Sequence, residues 1–139
     1  MKPLNNIFLL LSFLLIFSCK DKAAKSNLAL AAIDLERGKL LLGSTEPFGD
    51  VSFALDWKYE VRETFDLAIA LLHSFEYTEA EKAFVKVLDN DSECALAYWG
   101  VAMSIYHALW APPTSDVLIK GSKLIEIAQN LPKSKFVQS

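Results

Sequence analysis

The chain has 139 residues, which is the length of one domain of ordinary size. Hydrophobic residues make up 53% of it, and the formal net charge is −3. Because domains that bind nucleic acid carry a basic stripe, this mild acidity argues against a nucleic-acid partner. Two cysteines, Cys19 and Cys94, are too few for a disulfide framework, and Cys94 is expected to be a small buried side chain.

The N-terminus has the pattern of an export signal. Lys2 supplies a positive charge, and an almost unbroken apolar run follows from Ile7 to Phe17. A helix of that length spans only about 16 Å, which is about half of the hydrocarbon core of a membrane. The run therefore predicts a signal peptide and not a membrane-spanning helix.

The apolar run ends in Ile16-Phe17-Ser18-Cys19. This tetrapeptide resembles the lipobox of bacterial lipoprotein signals, although Phe17 is bulkier than the usual residue at its place. The resemblance implies cleavage before Cys19, lipid attachment to its sulfur and anchoring in the bacterial cell envelope, because several acyl chains give stable attachment. Lys20 stands where an inner-membrane retention signal has Asp, which favours the outer membrane. An ordinary secretory leader is the alternative, but no A-x-A-like cleavage site follows.

The rest of the chain divides by composition. The predicted segments are 1–18, the signal peptide; 19–27, the lipidated cysteine and a flexible tether; 28–56, an N-terminal extension; 57–131, a helical domain; and 132–139, the start of a further element or a truncated tail. Within the extension, Leu28 to Leu42 is interpreted as a helix with Asn27 as its N-cap. Residues 43–56 predict a turn and then an extended segment lying on the helical body, because Gly43, Pro47 and Gly49 precede the alternation Val51, Phe53, Leu55.

Four helices are predicted in the helical domain. The first begins after an Asp56 cap and carries apolar residues at spacings of three and four, at Val61, Phe65, Leu67, Ala68, Leu71 and Leu72. The second follows a break at residues 74–76 and begins at Tyr77. The third, from about Glu93 to Leu109, is apolar on nearly all sides, which indicates burial between neighbours. The fourth runs from Ser115 to Asn130, with Thr114 as its N-cap.

A repeated motif runs through these four helices. Leu67-Ala68-x2-Leu71 is followed by Tyr77-x-Glu79-Ala80-x3-Phe84, and Val101-Ala102-x2-Ile105 comes 34 residues after the first part. This register resembles the tetratricopeptide repeat family, whose pattern is W-x2-L-G-x2-Y and then A-x3-F. Gly121-x3-Ile125 completes a second repeat only if its turn is lengthened by about seven residues. Thr64 at the Trp site and Asp91-Ser92 in place of Asp-Pro depart from the family pattern.

The resemblance implies an all-α fold: a short stack of antiparallel helix pairs, preceded by the signal peptide and a partly extended segment. Small residues are expected where helices cross, at Ala68, Ala80 and Ala102, and bulky ones beside them, at Leu71, Phe84 and Ile105. Three or more repeats are normally needed to bury a continuous core. With two, the chain is interpreted as a fragment of a longer repeat protein or as one that pairs with itself.

The favoured function is an interaction module that binds a protein or peptide in its helical groove. Most aromatic side chains fall at core spacing, and the candidate partner-binding residues are Trp99, Tyr106 and Trp110. No cofactor is expected. The residues show no nucleophile elbow, phosphate loop or zinc-protease motif, which argues against an enzyme.

Two alternatives stay open. His73 and His107 are 34 residues apart and so occupy equivalent places in successive repeats, where they could share a metal ion with Glu76 nearby. Two histidines are few for zinc, and a histidine at a helix C-terminus interacts well with the dipole, so no metal site is assigned.

The other alternative is an accessory helical domain of a larger protein. Asp89-x-Asp91-x-Glu93 lacks the glycine of a calcium loop and is interpreted as a solvated turn.

Overall fold

A computed structural model describes residues 27–43, 48–49, 51–52, 59–107 and 111–132. Within these ranges the fold is all-α and contains no strand, as the sequence predicts. Its helices are α1, residues 27–31; α2, Tyr59–His73; α3, Tyr77–Asn90; α4, Ala95–Tyr106; and α5, Ser115–Gln129. In the part of the chain so described, none of the helices combines the length and apolar character needed to cross a membrane.

The long helices pack in chain order. α2 lies against α3, α3 against α4, and α4 against α5, while α2 and α4 touch over a smaller area. Short connections between antiparallel neighbours produce such packing, because each helix has to cover its apolar face at once. The fold is therefore a row of adjacent packed helix pairs.

Local sequence signals predict where α3 and α5 begin. α3 begins at Tyr77, directly after the predicted break. The Thr114 hydroxyl caps α5 by accepting a hydrogen bond from the Val117 backbone N–H at 3.3 Å, as predicted. α4 is shorter than predicted and ends at Tyr106, because His107 takes the left-handed conformation (φ +43°) that closes many helices. Asp56 lies outside the described residues.

The prediction of a helix from Leu28 to Leu42 is wrong. Helix is present only at residues 27–31, and residues 32–43 form an irregular segment that passes through Gly38 at φ +133°. The physical reason is that backbone N–H groups of this segment have partners outside it. Carboxylates of α3 accept them, so a helical hydrogen-bond ladder has a strong competitor.

The irregular segment is attached to the helical body by its side chains as well. Leu30, Ile33 and Leu35 belong to the hydrophobic core. Further along, Phe48 and Val51 are half-buried against that core in backbone that is neither helix nor strand. Pro47, Phe53 and Leu55 lie outside the described residues.

The centre of the core is the crossing of α3 and α4. Gly100 of α4 packs directly on the ring of Phe84, which also meets Phe65 of α2 edge-on, with ring centroids 5.6 Å apart. The predicted small and bulky residues are buried as expected at five positions, Ala68, Ala80, Leu71, Phe84 and Ile105. Ala102 differs, because it is half-buried and faces a groove between α4 and α5.

Candidate functional site

An open groove runs between α4 and α5 and has a volume of about 490 Å³. The large side chains of the α4 wall are Trp99, Met103 and Tyr106, which share one helix face because they are spaced by four and three residues. The opposite wall comes from α5. Its apolar members are Val117, Leu118, Gly121 and Ile125.

The groove is apolar and faces solvent. Trp99 and Met103 are each 40% exposed, Tyr106 38% and Leu118 49%. Isolated exposed apolar side chains are common, whereas a contiguous set that lines a concavity is typical of surfaces that bind a ligand or a partner, which makes the groove the candidate site. Among the described residues of the lining, Glu126 is the one that carries a charge, so the groove offers mainly apolar contacts.

Helix α4 explains why such a surface exists. Its twelve residues, ALAYWGVAMSIY, carry no charge, and a helix apolar on all sides needs cover on all sides. One side has it, because Ala97, Gly100, Val101 and Ser104 are buried. The side that faces the groove is covered by no other described element.

Two of the three predicted partner-binding residues, Trp99 and Tyr106, meet in this groove, whereas Trp110 lies outside the described residues. The sequence reasoning missed Met103 and Leu118. The spacing could have identified Met103, because it lies between Trp99 and Tyr106 on the same helix face. No signal in the sequence points to Leu118, because only the packing of α5 on α4 shows which face of α5 stays open.

The two histidines lie at helix ends, as predicted. His73 is exposed in the last turn of α2, and His107 follows α4 with its ring 4.5 Å from the ring of Tyr77. Among the residues described, no three or more His, Cys, Asp or Glu side chains form a group that could hold a metal ion. The Asp91 carboxylate accepts the Glu93 backbone N–H at 3.0 Å, which is turn geometry.

Cys94 is buried before α4, and burial raises the pKa of its thiol to about 12. The thiolate is the reactive form of cysteine, and it is scarce at neutral pH when the pKa is that high. The prediction that Cys94 is a small buried side chain is therefore confirmed.

A second polar feature lies on α3, where two buried carboxylates hold the N-terminal segment. Glu79 accepts the backbone N–H of Leu41 at 2.7 Å and a hydrogen bond from Lys82 at 2.8 Å. Glu81 accepts the backbone N–H of Glu36 at 3.0 Å and lies 3.6 Å from the Lys120 ammonium. These contacts hold residues 36–41 against α3.

Burial alone would raise the pKa of Glu79. The hydrogen bonds from Lys82 and from the backbone N–H groups of Leu41 and Leu42, together with the charge of Lys82, outweigh it and hold the pKa below its ordinary value. Glu79 is therefore ionised at neutral pH, and its carboxylate has a structural role in the fold.

The chain matches no known family, and neither the curated proteins nor the solved structures contain a significant match to it. Its function is accordingly inferred from its own residues and their geometry.

Proposed function

We propose that this chain is an envelope-anchored interaction module of the tetratricopeptide type, held to a bacterial membrane by lipid on Cys19. The α4–α5 groove binds a helix or peptide of a protein partner. The observation that supports this most is the unpartnered apolar stripe Trp99, Met103, Tyr106, which faces Leu118 across the groove.

Energetics favour a partner in this groove. Complete burial of a large apolar side chain contributes about 1.5–3 kcal/mol, and three such side chains of α4 are each well over a third exposed. Trp and Tyr are also the side chains most often found at the centre of binding interfaces. A helix laid into an apolar groove is a common mode of peptide recognition, which uses anchors at spacings of three and four.

The helix order supports the same proposal. From α2 to α5, each long helix packs on the one before it, and the repeat register of the sequence places its A-x3-F motif on α3 at Ala80 and Phe84, both fully buried. Stacked helix pairs of this kind present extended surfaces for binding.

Met103→Glu tests the groove with little risk to the fold, because that side chain is already 40% exposed. Leu28→Glu is the matched control, because Leu28 is an exposed apolar residue that is not part of the groove. Both variants and the wild type are cross-linked in envelope preparations, and the cross-linked partner is identified and then titrated as a purified protein. We expect the purified partner to bind the wild type and the Leu28 variant and to bind the Met103 variant at least about tenfold more weakly. Equal affinity for all three proteins would contradict the proposal.

The anchor has its own test. Cys19→Ser removes the sulfur that would carry the lipid, so that protein is expected in the soluble fraction or as an unprocessed precursor. Labelling with a fatty-acid analogue should mark the wild type alone. Equal labelling of the two proteins would refute the anchor and leave the groove untouched.

A further inference from the structure

We infer that the partner helix in the α4–α5 groove is of the same kind as α4: apolar, uncharged, and with glycine or alanine where it crosses Ile125. This rests on the proposed function and adds the chemistry of the partner to it. The inference comes from the way in which α4 itself is seated.

The packing surface of α3 that receives α4, here called the seat, makes two close contacts through Phe84 and Tyr77. At the centre, Gly100 lies on the Phe84 ring so closely that a Cβ on Gly100 would be 2.5 Å from two of the ring carbons. At the end, the His107 ring lies on the Tyr77 ring. A helix thus fits this seat because it has no side chain at the crossing point.

The chain contains positions equivalent to this contact surface a second time, with other residue types. A shift of 41 residues takes Tyr77, Ala80 and Phe84 of α3 to Leu118, Gly121 and Ile125 of α5, which is the lengthened repeat of the sequence register. Ala80 and Phe84 are fully buried, whereas Leu118 is 49% exposed and Gly121 and Ile125 line the groove.

The positions that face this surface from the neighbouring helix also recur. A shift of 34 residues takes Phe65 and Ile69 of α2, which are 1% and 4% exposed, to Trp99 and Met103 of α4, which are both 40% exposed. The α4–α5 pair therefore carries the surface of the α2–α3 pair, and the groove continues an interface that the fold already contains.

This arrangement argues against two kinds of occupant. A second folded copy cannot supply α4, because its Gly100 face is buried against Phe84 in each copy. A charged amphipathic helix meets a lining whose described residues include one carboxylate, Glu126, and so gains little from its charges. The fitting occupant is an uncharged helix with a small residue at its centre, provided by a partner protein.

The probe for this inference is a synthetic peptide of residues 93–107 of this chain, extended by terminal lysines for solubility and labelled with fluorescein. The matched peptide differs by Gly100→Leu alone. Binding of each to the full chain in detergent is followed by anisotropy. We expect saturable binding of the glycine peptide, and binding at least about tenfold weaker for the leucine peptide.

Two protein variants locate the binding. Ile125→Glu places a charge under the expected crossing, and Met103→Glu places one on the opposite wall, so the test survives if one of them fails to fold. Either folded variant should lose the glycine peptide. Retention of the peptide by both would show exchange with α4 at its own seat and overturn the inference.

The remaining outcomes separate the inference from the proposed function. If both peptides bind equally and both are lost in the groove variants, the selection for a small residue is wrong and the groove still binds helices. If neither peptide binds, the inference fails. The cross-linked partner and its response to Met103→Glu then decide the proposed function alone.

Discussion

Gly100→Ala is expected to destabilise the protein, although alanine is the better helix former. Gly100 lies inside α4, where replacing glycine with alanine alone would contribute up to about 1 kcal/mol. Its new Cβ would lie 2.5 Å from Cδ1 and Cζ of Phe84, while carbon atoms in contact prefer about 3.5–4.0 Å. The ring or the helix must therefore move by about 1 Å.

The ring has no room to move. Phe84 is completely buried, and its ring meets Phe65 edge-on at 5.6 Å. Overpacking a core of this kind costs about 1–3 kcal/mol. After subtraction of the helix-propensity gain, the expected net loss is about 1 kcal/mol in the free energy of unfolding, which corresponds to a melting temperature lower by about 4–8 °C for a domain of this size.

The matched control is Gly121→Ala. Gly121 also lies inside a helix, and its Cβ would meet only the Ala102 Cβ at 3.9 Å, an ordinary contact. Propensity then acts alone, and the free energy of unfolding should rise by up to about 1 kcal/mol. Thermal and urea melts by circular dichroism measure both variants. Shifts in the same direction and of similar size would refute the close crossing of α3 and α4.

Three further predictions concern ionisable groups. Glu79→Gln should lower the free energy of unfolding by about 1–3 kcal/mol at neutral pH, because a charged acceptor is lost. The pKa of Glu79 is lowered in the fold. The stabilisation by its carboxylate is therefore complete above the pKa of the unfolded chain, about 4.3, and is lost as the pH falls through the pKa of the folded protein. Urea melts between pH 3 and 7 measure this, and a difference that does not change with pH would contradict it. In a Cys19→Ser background, Cys94 should react with a disulfide reagent at pH 8 only as fast as the protein unfolds, because burial raises the pKa of the thiol to about 12; rapid reaction in the native state would be evidence against burial. Zinc should raise the melting temperature no more in the wild type than in a His73→Ala, His107→Ala double mutant, whereas a specific site would add about 2.7 kcal/mol at a hundredfold excess over Kd and would revive the metal alternative.

Local signals in the sequence were sufficient for several features of the fold. The start of α3 at Tyr77, the Thr114 cap of α5 and the burial of Ala80 and Phe84 all agree with expectation. Each depends on neighbours within about one or two helical turns, and such short-range preferences can be predicted from the sequence. The exposure of Trp99 follows from the same logic, because a wholly apolar helix cannot be covered on every side by so few neighbours.

Other features depend on groups that are distant in the chain. Residues 32–43 are largely helix formers, yet the backbone N–H groups of Glu36 and Leu41 donate to the carboxylates of Glu81 and Glu79, which lie 45 and 38 positions further along the chain. The groove likewise needs Leu118 to stand across from Met103. Periodicity identifies an apolar helix face but not the element that will cover it, because that depends on how helices distant in the chain pack together. The packing of α5 on α4 left this one face open.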